Sequence, residues 1–270
     1  VLGGSQGARA LNNAVPQAIA ALGQPVDVLH QAGEKMLEDA RKAYADAGAD
    51  VVCSARSLED IEAVAEEVRS RGRRALALSC DVTDSEQRRA LVSNAREQMG
   101  RITILVNNAG GGGPNDPLKM SPEEFERVMN FNVTAAYALA QQCVPLMREA
   151  GGGNIINITS VAARYAQRHF SAYGTAKAAL THLTRLLAQE FAPQIRVNAV
   201  APGPILTDAL AGVMPDAMRS TMEANTPLKC LGQPEDIAAA ALYLACPASA
   251  WVTGKIIDVD GGADSSVWPG

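Results

Sequence analysis

Short apolar segments alternate with amphipathic segments of helical period along most of this chain. The apolar segments are residues 51–54, 75–79, 102–106, 155–158, 195–200 and 255–259. Such alternation is typical of a parallel sheet with helices on both faces. We therefore predict an α/β fold of three layers, α/β/α, built on a doubly wound, Rossmann-like parallel sheet.

Two of the helices have recognisable beginnings. Ser57 has the residue type of an N-cap, with Asp60 at the third helical position. A buried stripe is predicted to follow at Leu58, Ile61, Val64 and Val68. Residues 121–124, Ser-Pro-Glu-Glu, form a capping box with proline at the first helical position, and the helix that they begin is predicted to carry Asn132.

The residues before position 51 contain one βα unit more than this fold needs. Strands are predicted at 1–2 and 26–30, each followed by a helix. In the arrangement that we favour, 26–30 is the first strand of the sheet and 1–22 is an added βα unit, because this keeps a direct crossover into 51–54. In the alternative arrangement, 1–2 is the first strand and 26–47 is inserted.

The two arrangements supply different backbone for binding a phosphate group. A glycine-rich turn lets backbone amides at a helix N-terminus approach a diphosphate. In the favoured arrangement the turn has one glycine, Gly33, together with Gln31 and the amides of residues 34–35, and Glu34 adds an unfavourable negative charge. The alternative offers Gly3, Gly4, Ser5 and Gly7.

Composition and charge limit the partners of the chain. The net charge is -5 and no basic cluster contains interleaved aromatic residues, so we expect no nucleic-acid partner. The most apolar stretch, 237–252, is interrupted by Pro247 and is shorter than the roughly 20 residues that span a bilayer, so we expect no membrane segment. The three histidines lack the spacing of metal ligands, and no metal site is expected.

Five scattered cysteines without a CxxC pair are typical of a reducing compartment, and we expect the protein to be cytoplasmic. The chain begins at Val1 within an apolar run, without an initiator methionine or a signal-peptide pattern. We expect its natural start to be missing or engineered.

Tyr173 and Lys177, four positions apart, and Ser160, 13 residues before Tyr173, have the clearest chemical meaning. On a helix, residues i and i+4 share one face, so the Lys177 ammonium is predicted to lie near the Tyr173 phenol. A nearby cation favours the phenolate, so we expect a lowered pKa for Tyr173. With Ser160 to polarise a carbonyl group, the trio is predicted to exchange protons in carbonyl/alcohol redox chemistry.

Ordered motifs accompany this trio from about residue 43 to the C-terminus. They are Asp81-Val82, Asn107-Asn-Ala-Gly110 followed by Gly111-Gly-Gly-Pro114, Asn132-Val, Ile158-Thr-Ser160, Arg196-Val-Asn-Ala-Val-Ala-Pro202-Gly203 with Thr207, and Asp260-Gly-Gly262. With these motifs the chain resembles the short-chain dehydrogenase/reductase family over more than four fifths of its length, and most closely the 7α-hydroxysteroid dehydrogenase branch.

This resemblance implies a catalytic tetrad and a nicotinamide cofactor. The implied tetrad is Asn132, Ser160, Tyr173 and Lys177, in which Tyr173 exchanges the proton, Lys177 also binds the nicotinamide ribose and Asn132 holds a water in the proton relay. The other implied cofactor contacts are Asp81 and Val82 at the adenine, Asn108, Ala109 and Gly110 along the cleft, Pro202, Gly203, Ile205 and Thr207 near the carboxamide, and Gly33 in the altered turn.

Arg56 bears on the choice of cofactor. It lies just beyond strand 51–54, the second strand of the favoured arrangement, where an enzyme that uses NAD usually carries an acidic residue for the ribose hydroxyls. A cation at this position favours a 2'-phosphate. We therefore predict NADP(H) as the preferred cofactor, with NAD(H) as the alternative.

Residues 1–48 resemble a different family. The sequences Gly3-Gly-Ser5-Gln6-Gly7 and His30-Gln31-Ala-Gly33 are similar to the C-terminal domain of the peptidoglycan UDP-N-acetylglucosamine transferase, in which the glycine turn faces the diphosphate of the nucleotide sugar. The chain is thus predicted to be a mosaic that forms one Rossmann-like domain over residues 1–270. Residues 1–48 replace the usual first βα unit, and 49–270 form the dehydrogenase/reductase core.

The leading functional hypothesis is an NADP(H)-dependent oxidoreductase that interconverts a secondary alcohol and a ketone, with a hydroxysteroid or bile acid as the candidate substrate. The family resemblance implies a homotetramer. Glycines at 111–113 and a methionine-containing segment at 206–226 would suit an adaptable apolar substrate site. Because the glycine turn is replaced, a second hypothesis is a catalytically silent nucleotide-binding or structural mosaic. A third is UDP-sugar binding through residues 3–8.

Overall fold

The computed structural model describes residues 26–31, 49–206 and 214–268. They contain a seven-stranded sheet with the order β3-β2-β1-β4-β5-β6-β7, in which every pairing is parallel. The strands are β1 (Val26–Gln31), β2 (Ala49–Ser54), β3 (Ala75–Ala77), β4 (Ile104–Asn107), β5 (Gly153–Ile158), β6 (Ile195–Pro202) and β7 (Ile256–Val259). The order runs outward in both directions from β1, as in a doubly wound sheet, so the predicted fold class is confirmed.

The strand predicted at 26–30 belongs to the centre of this sheet. β1 lies between β2 and β4 and pairs with both, so that Val28 is the Cα partner of Val51 on one side and of Ile104 on the other. The structure therefore has the arrangement with a direct crossover from β1 to β2. The unit predicted at 1–22 and the turn that contains Gly33 lie outside the described residues.

Seven α-helices connect and cover the strands in the described part of the chain. They are α1 (Leu58–Ser70), α2 (Ser85–Met99), α3 (Pro122–Met129), α4 (Ala135–Glu149), α5 (Ser171–Phe191), α6 (Asp216–Asn225) and α7 (Pro234–Ala245). One continuous apolar core packs helix residues such as Ile61 and Ile237 against strand residues such as Val51 and Ile155. None of the described helices combines the length and the apolar character that crossing a bilayer requires.

The beginning of α1 forms as predicted, whereas its buried face differs at one position. The Ser57 side chain accepts a hydrogen bond from the Asp60 amide. Ile61, Val64 and Val68 of the predicted stripe are buried, but Leu58 is 54% exposed. The prediction of a buried Leu58 is wrong, because this first helical residue lies beside the carboxyl edge of the sheet rather than over its face.

The helix that begins at Pro122 changes its winding before it reaches Asn132. The capping box forms, since the Glu124 amide donates to Ser121 Oγ at 3.2 Å and the Ser121 amide donates to Glu124 Oε2 at 2.8 Å. Between α3 and α4 the chain forms a π-helical turn, Asn130–Thr134. Such turns insert one extra residue into a helix and are frequent at functional sites. This turn carries Asn132, which is fully buried.

Three buried side chains link the sheet to α5. Asn107 Nδ2 donates to Asn157 Oδ1 at 2.9 Å, and Asn157 Nδ2 donates to Thr184 Oγ1 at 2.9 Å. The Thr184 hydroxyl in turn donates to the Leu180 carbonyl at 2.8 Å. Hydrogen bonds that are shielded from water hold polar groups in one arrangement. The chain of bonds fixes α5 against the carboxyl ends of β4 and β5.

Candidate active site

Helix α5 places Tyr173 and Lys177 one turn apart on the same face. Lys177 Nζ lies 5.7 Å from the centroid of the Tyr173 ring and donates a hydrogen bond of 2.9 Å to the Ile158 carbonyl, at the end of β5. Ser160, two residues beyond Ile158, forms a side-chain hydrogen bond with Tyr173. The structure therefore brings the predicted trio together at the carboxyl end of β5.

Burial dominates the titration of both groups on α5. It raises the pKa of the Tyr173 phenol, and the hydrogen bond with Ser160 opposes that rise. Burial also lowers the pKa of Lys177 to about 7. The predicted lowering of the Tyr173 pKa is wrong, because removing the phenol and the amine from water disfavours the charged form of each.

Asn132 fixes the glycine loop that follows β4. Its Oδ1 accepts a hydrogen bond of 2.9 Å from the Gly111 amide, and its Nδ2 donates to the carbonyls of Gly111 and Val128, both at 2.9 Å. Both amide protons are thus committed to backbone acceptors, while Oδ1 keeps a second acceptor position. The paired bonds to Gly111 hold the loop in one place.

The same loop approaches the site so closely that side chains would not fit. A Cβ atom on Gly110 would lie 2.6 Å from Asn132 Oδ1 and 2.9 Å from Lys177 Nζ, and one on Gly112 would lie 3.0 Å from Tyr173 Cβ. Carbon atoms do not approach one another or polar atoms this closely without displacement. The two glycines therefore permit the loop to pack directly against the catalytic candidates.

A cleft of about 240 Å³ opens beside these groups at the carboxyl edge of the sheet. The predicted site residues in its lining are Asn108, Gly110, Ser160, Tyr173, Lys177, Pro202, Gly203 and Ile205. Gly203 lets the chain after β6 pass against the end of β7, since a Cβ atom there would lie 2.6 Å from Asp260 Cα. One cleft thus combines the proton-transfer candidates with most of the predicted nicotinamide contacts.

The predicted adenine and ribose contacts lie further along the same edge. The Arg56 side chain is exposed, and the Arg56 carbonyl accepts a hydrogen bond of 3.0 Å from Ser79 Oγ. Asp81 Oδ1 accepts from the amide and the hydroxyl of Thr83 at 2.8 and 2.7 Å, and Val82 is buried. In the sheet, β2 lies next to β1 and β3 lies next to β2. The loops that follow β2 and β3 therefore continue the carboxyl edge at which the cleft opens.

Of the remaining predicted contacts, the structure describes Ala109 but not Thr207 or Gly33. Ala109 packs, partly buried, against the main core between two cleft residues. Thr207 and Gly33 lie outside the described residues, so their roles stay predictions.

Sequence reasoning missed three aromatic residues that line the cleft, Tyr165, Phe170 and Trp268. The signal that the sequence offered was the rarity of aromatic residues, which make up only 4% of the chain and include only two tryptophans. Tyr165 follows the candidate serine closely, whereas Trp268 lies near the C-terminus. The cleft is consequently more aromatic than the motifs indicate.

Two family models match the chain. The model described as Enoyl-(Acyl carrier protein) reductase matches residues 39–264. The model described as Glycosyltransferase family 28 C-terminal domain matches residues 1–66. The predicted resemblance of the N-terminal segment to a glycosyltransferase is therefore confirmed.

Named relatives and solved structures agree with the first model. The chain is 50% identical over 222 residues to an uncharacterized oxidoreductase of Mycobacterium tuberculosis, covering 82% of this chain and 84% of the relative. It is 43% identical over 220 residues to the 7alpha-hydroxysteroid dehydrogenase of Escherichia coli, covering 81% and 86% of the two chains.

Among solved structures, a 7 alpha-hydroxysteroid dehydrogenase complexed with NADH and 7-oxo glycochenodeoxycholic acid is 37% identical, with a TM-score of 0.78 over 95% of this chain and 92% of that one. The L-sorbose reductase of Gluconobacter frateurii, complexed with NADPH and L-sorbose, is 29% identical, with a TM-score of 0.83 over 89% and 97% of the two chains.

Proposed function

The chain belongs to the short-chain dehydrogenase/reductase family of oxidoreductases, and on that premise we propose that it interconverts a secondary alcohol and a ketone with NADP(H). The observation that carries the proposal is the meeting of Ser160, Tyr173 and Lys177 in one cleft. A hydroxyl, a phenol and an amine at that spacing can polarise a carbonyl oxygen and deliver a proton to it.

The cleft also suits a nicotinamide cofactor. It opens at the carboxyl edge of a doubly wound sheet, where such folds bind nucleotides. Asn108, Gly110 and Pro202 would hold the nicotinamide half, and Lys177 has donors beyond its bond to Ile158 for a ribose hydroxyl. When bound, a nicotinamide ring supplies or accepts a hydride at its C4 carbon.

The protein's own residues provide the proton transfer. Because burial raises the pKa of Tyr173, the phenol is protonated at neutral pH and ready to donate in the direction of ketone reduction. The Tyr173 proton passes to the substrate oxygen and leaves a phenolate, while Ser160 donates a hydrogen bond to that oxygen. In alcohol oxidation the phenolate accepts the alcohol proton.

Lys177 and Asn132 support this transfer. In its charged form, Lys177, whose Nζ lies 5.7 Å from the centroid of the Tyr173 ring, stabilises the phenolate in surroundings of low dielectric constant. Asn132 holds the loop at Gly111 against Tyr173, and its free acceptor position could bind a water that relays the proton onward.

Arg56 supports the preference for NADP(H). Its exposed guanidinium follows β2 and is available to pair bidentately with a 2'-phosphate. Initial rates measured with NADPH and NADH at equal concentrations test this part of the proposal. A clear preference for NADH would reject it.

Turnover tests the activity itself. The absorbance of reduced nicotinamide should fall when the protein is mixed with a panel of simple ketones and 7-oxo bile acids, the latter suggested by the hydroxysteroid dehydrogenases among its relatives. A Tyr173→Phe variant provides the background rate. Turnover that does not exceed this background for any ketone would reject the proposed activity.

The replaced glycine turn in the sequence favours one other candidate, a catalytically silent nucleotide-binding or structural mosaic in which productive cofactor binding is lost. Thermal unfolding with added NADPH separates the two, since ligand at 100 times its Kd stabilises a protein by about 2.7 kcal/mol. We expect a rise in the unfolding temperature. No rise at millimolar NADPH would support the silent mosaic instead.

Three wider features complete the proposal. The central place of β1 supports a single Rossmann-like domain over 1–270, in which 1–48 replace the first βα unit and 49–270 form the core. Family membership supports a homotetramer, which light scattering in solution would test. The five free cysteines support a cytoplasmic location, which cell fractionation would test.

A further inference from the structure

The segment that follows β7 forms part of the cleft wall. Ala263 and Trp268 line the cleft together with Tyr173, although they lie 90 and 95 residues further along the chain. Ala263 is buried and Trp268 is half-buried. The C-terminal segment, residues 260–268, therefore contributes side chains to the space beside the phenol.

Arg164 and Tyr165 hold the beginning of this C-terminal segment. Arg164 Nη2 donates to Asp260 Oδ2 at 2.9 Å and to the Ala263 carbonyl at 3.1 Å, while its Nε lies 3.6 Å from Asp258 Oδ2. The Tyr165 hydroxyl donates to the Ala263 carbonyl and accepts a 2.6 Å hydrogen bond from Arg164. Asp260 keeps only 10% of its side chain exposed, whereas Arg164 keeps 49%, so this charge-assisted contact is partly open to water.

Trp268 connects the far end of the segment to the catalytic helix. Its ring meets that of Phe170 edge to face, with centroids 5.5 Å apart, and Phe170 meets Tyr173 in the same manner at 6.2 Å. Trp268 also packs against a small apolar cluster that contains Met214 and Met222. Aromatic rings and methionines in contact give an apolar surface that adapts to the shape of its ligand.

Resting on the proposed alcohol/ketone activity, we propose that Trp268 is a specificity-determining residue that binds the apolar ring system of a bulky alicyclic substrate. Arg164 and Tyr165 act as positioning residues, since they touch the C-terminal segment rather than the reacting atoms. A small acyclic ketone reaches Tyr173 and Ser160 without contacting Trp268. A fused-ring ketone extends along the cleft as far as the indole.

Steady-state kinetics with two ketones test the role of Trp268. We expect Trp268→Ala to lower kcat/KM for 2-decalone about 10-fold and that for 2-butanone by less than about 2-fold, because one aromatic contact is worth roughly a factor of 10. Trp268→Phe keeps an aromatic ring and should retain much of the wild-type kcat/KM for 2-decalone. Trp251→Ala is the matched control, because Trp251 is 100% exposed, and it should change neither value. Equal losses for both ketones, or no loss for 2-decalone, would overturn the proposal.

The roles of Arg164 and Tyr165 are tested by measuring KM for 2-decalone and kcat for 2-butanone in variants of each residue. We expect Arg164→Met and Tyr165→Phe to raise KM for 2-decalone about 5-fold to 10-fold while kcat for 2-butanone stays unchanged, and Arg164→Lys to recover part of the loss. A general loss of structure would lower kcat for both ketones. That outcome would assign Arg164 and Tyr165 a purely structural role.

A binding measurement keeps the inference independent of turnover. The chain has two tryptophans, so the Trp251→Phe variant reports the emission of Trp268 alone. Titration with 2-decalone should change this emission saturably, and 2-butanone should not. If the protein reduces neither ketone, the proposed function fails while this titration still decides the role of Trp268, and an unchanged emission would overturn it.

Discussion

Gly110 lies so close to Asn132 that a Cβ atom at position 110 would fall 2.6 Å from the Asn132 amide oxygen. The same atom would lie 2.9 Å from Lys177 Nζ. We expect Gly110→Ala to displace both side chains, to lower the turnover number at least 10-fold and to destabilise the fold by about 1–3 kcal/mol. Gly113→Ala is the control, because no atom lies within 4 Å of a Cβ atom there. Equal behaviour of the two variants in kinetics and urea unfolding would contradict the prediction.

Removal of the Tyr173 hydroxyl should lower the turnover number without weakening cofactor binding. Tyr173→Phe keeps the ring that contacts Phe170 but removes the proton that the substrate oxygen would receive. We expect kcat to fall by a factor of about 10² to 10⁴, with the Kd for NADPH changed by less than about 3-fold. Tyr243→Phe, at an exposed tyrosine of α7, should keep full activity. Wild-type kcat in Tyr173→Phe would remove the phenol from the mechanism.

The buried amine of Lys177 should make stability depend on pH. Its pKa is lowered from 10.5 to about 7 in the folded protein, so above pH 7 the unfolded state binds the extra proton. Stability therefore rises with pH between about 7 and 10.5, by up to about 1.4 kcal/mol per pH unit from this group. Lys177→Met removes the group that titrates. The difference in unfolding free energy between wild type and this variant should consequently change from pH 7 to pH 9.

An exposed lysine serves as the control for that experiment. Lys119 keeps 84% of its side chain exposed, so Lys119→Met should give a stability curve parallel to that of the wild type over the same pH range. A parallel curve for Lys177→Met as well would mean that the amine is charged in the folded protein up to pH 9.

Reversal of the charge at position 56 should change the choice of cofactor. We expect Arg56→Glu to lower kcat/KM for NADPH about 10-fold to 100-fold, because it replaces a charge-assisted bond to the 2'-phosphate with repulsion. The value for NADH should stay within a factor of about 3. Arg101→Glu makes the same change of charge near the amino end of β4, at the opposite edge of the sheet, and should affect neither cofactor.

The hydroxyl of Thr184 should stabilise the fold through its hydrogen bond with Asn157 as well as through its bond to the Leu180 carbonyl. Thr184→Val leaves Asn157 Nδ2 without its acceptor inside the protein and should destabilise the fold by about 1–3 kcal/mol. Thr221 is a close match, since its hydroxyl also bonds to the carbonyl four residues earlier, at 2.8 Å, but it is exposed. Urea unfolding of Thr221→Val should differ from that of the wild type by less than about 0.5 kcal/mol.

Local interactions explain why much of the fold could be predicted. The N-cap at Ser57 and the capping box at Ser121 involve residues three positions apart, so the sequence contains both partners. The strands of a parallel sheet are apolar on both faces and therefore stand out from the helices between them. The burial of Leu58 was predicted wrongly because a helical period does not show where the sheet ends.

The candidate site could be predicted only as far as its motifs extend. The spacing of Tyr173 and Lys177 indicates their shared face, but the direction of the Tyr173 pKa depends on burial, which arises from residues distant in the sequence. The contacts of Arg164 with Asp260 and of Phe170 with Trp268 each join positions that are almost 100 residues apart. No local pattern links such pairs, so these contacts emerge only from the folded chain.

The place of β1 has a consequence for how such proteins can be recombined. Its neighbours recognise it through backbone hydrogen bonds, which are the same for any extended sequence. A central strand can therefore be exchanged between families without loss of the sheet, provided that the crossover to the next strand keeps its hand. In folds of this kind the diphosphate meets the turn after the first strand and not the strand itself. An exchange of β1 therefore leaves the sheet intact and alters the cofactor site only through the turn that comes with the strand.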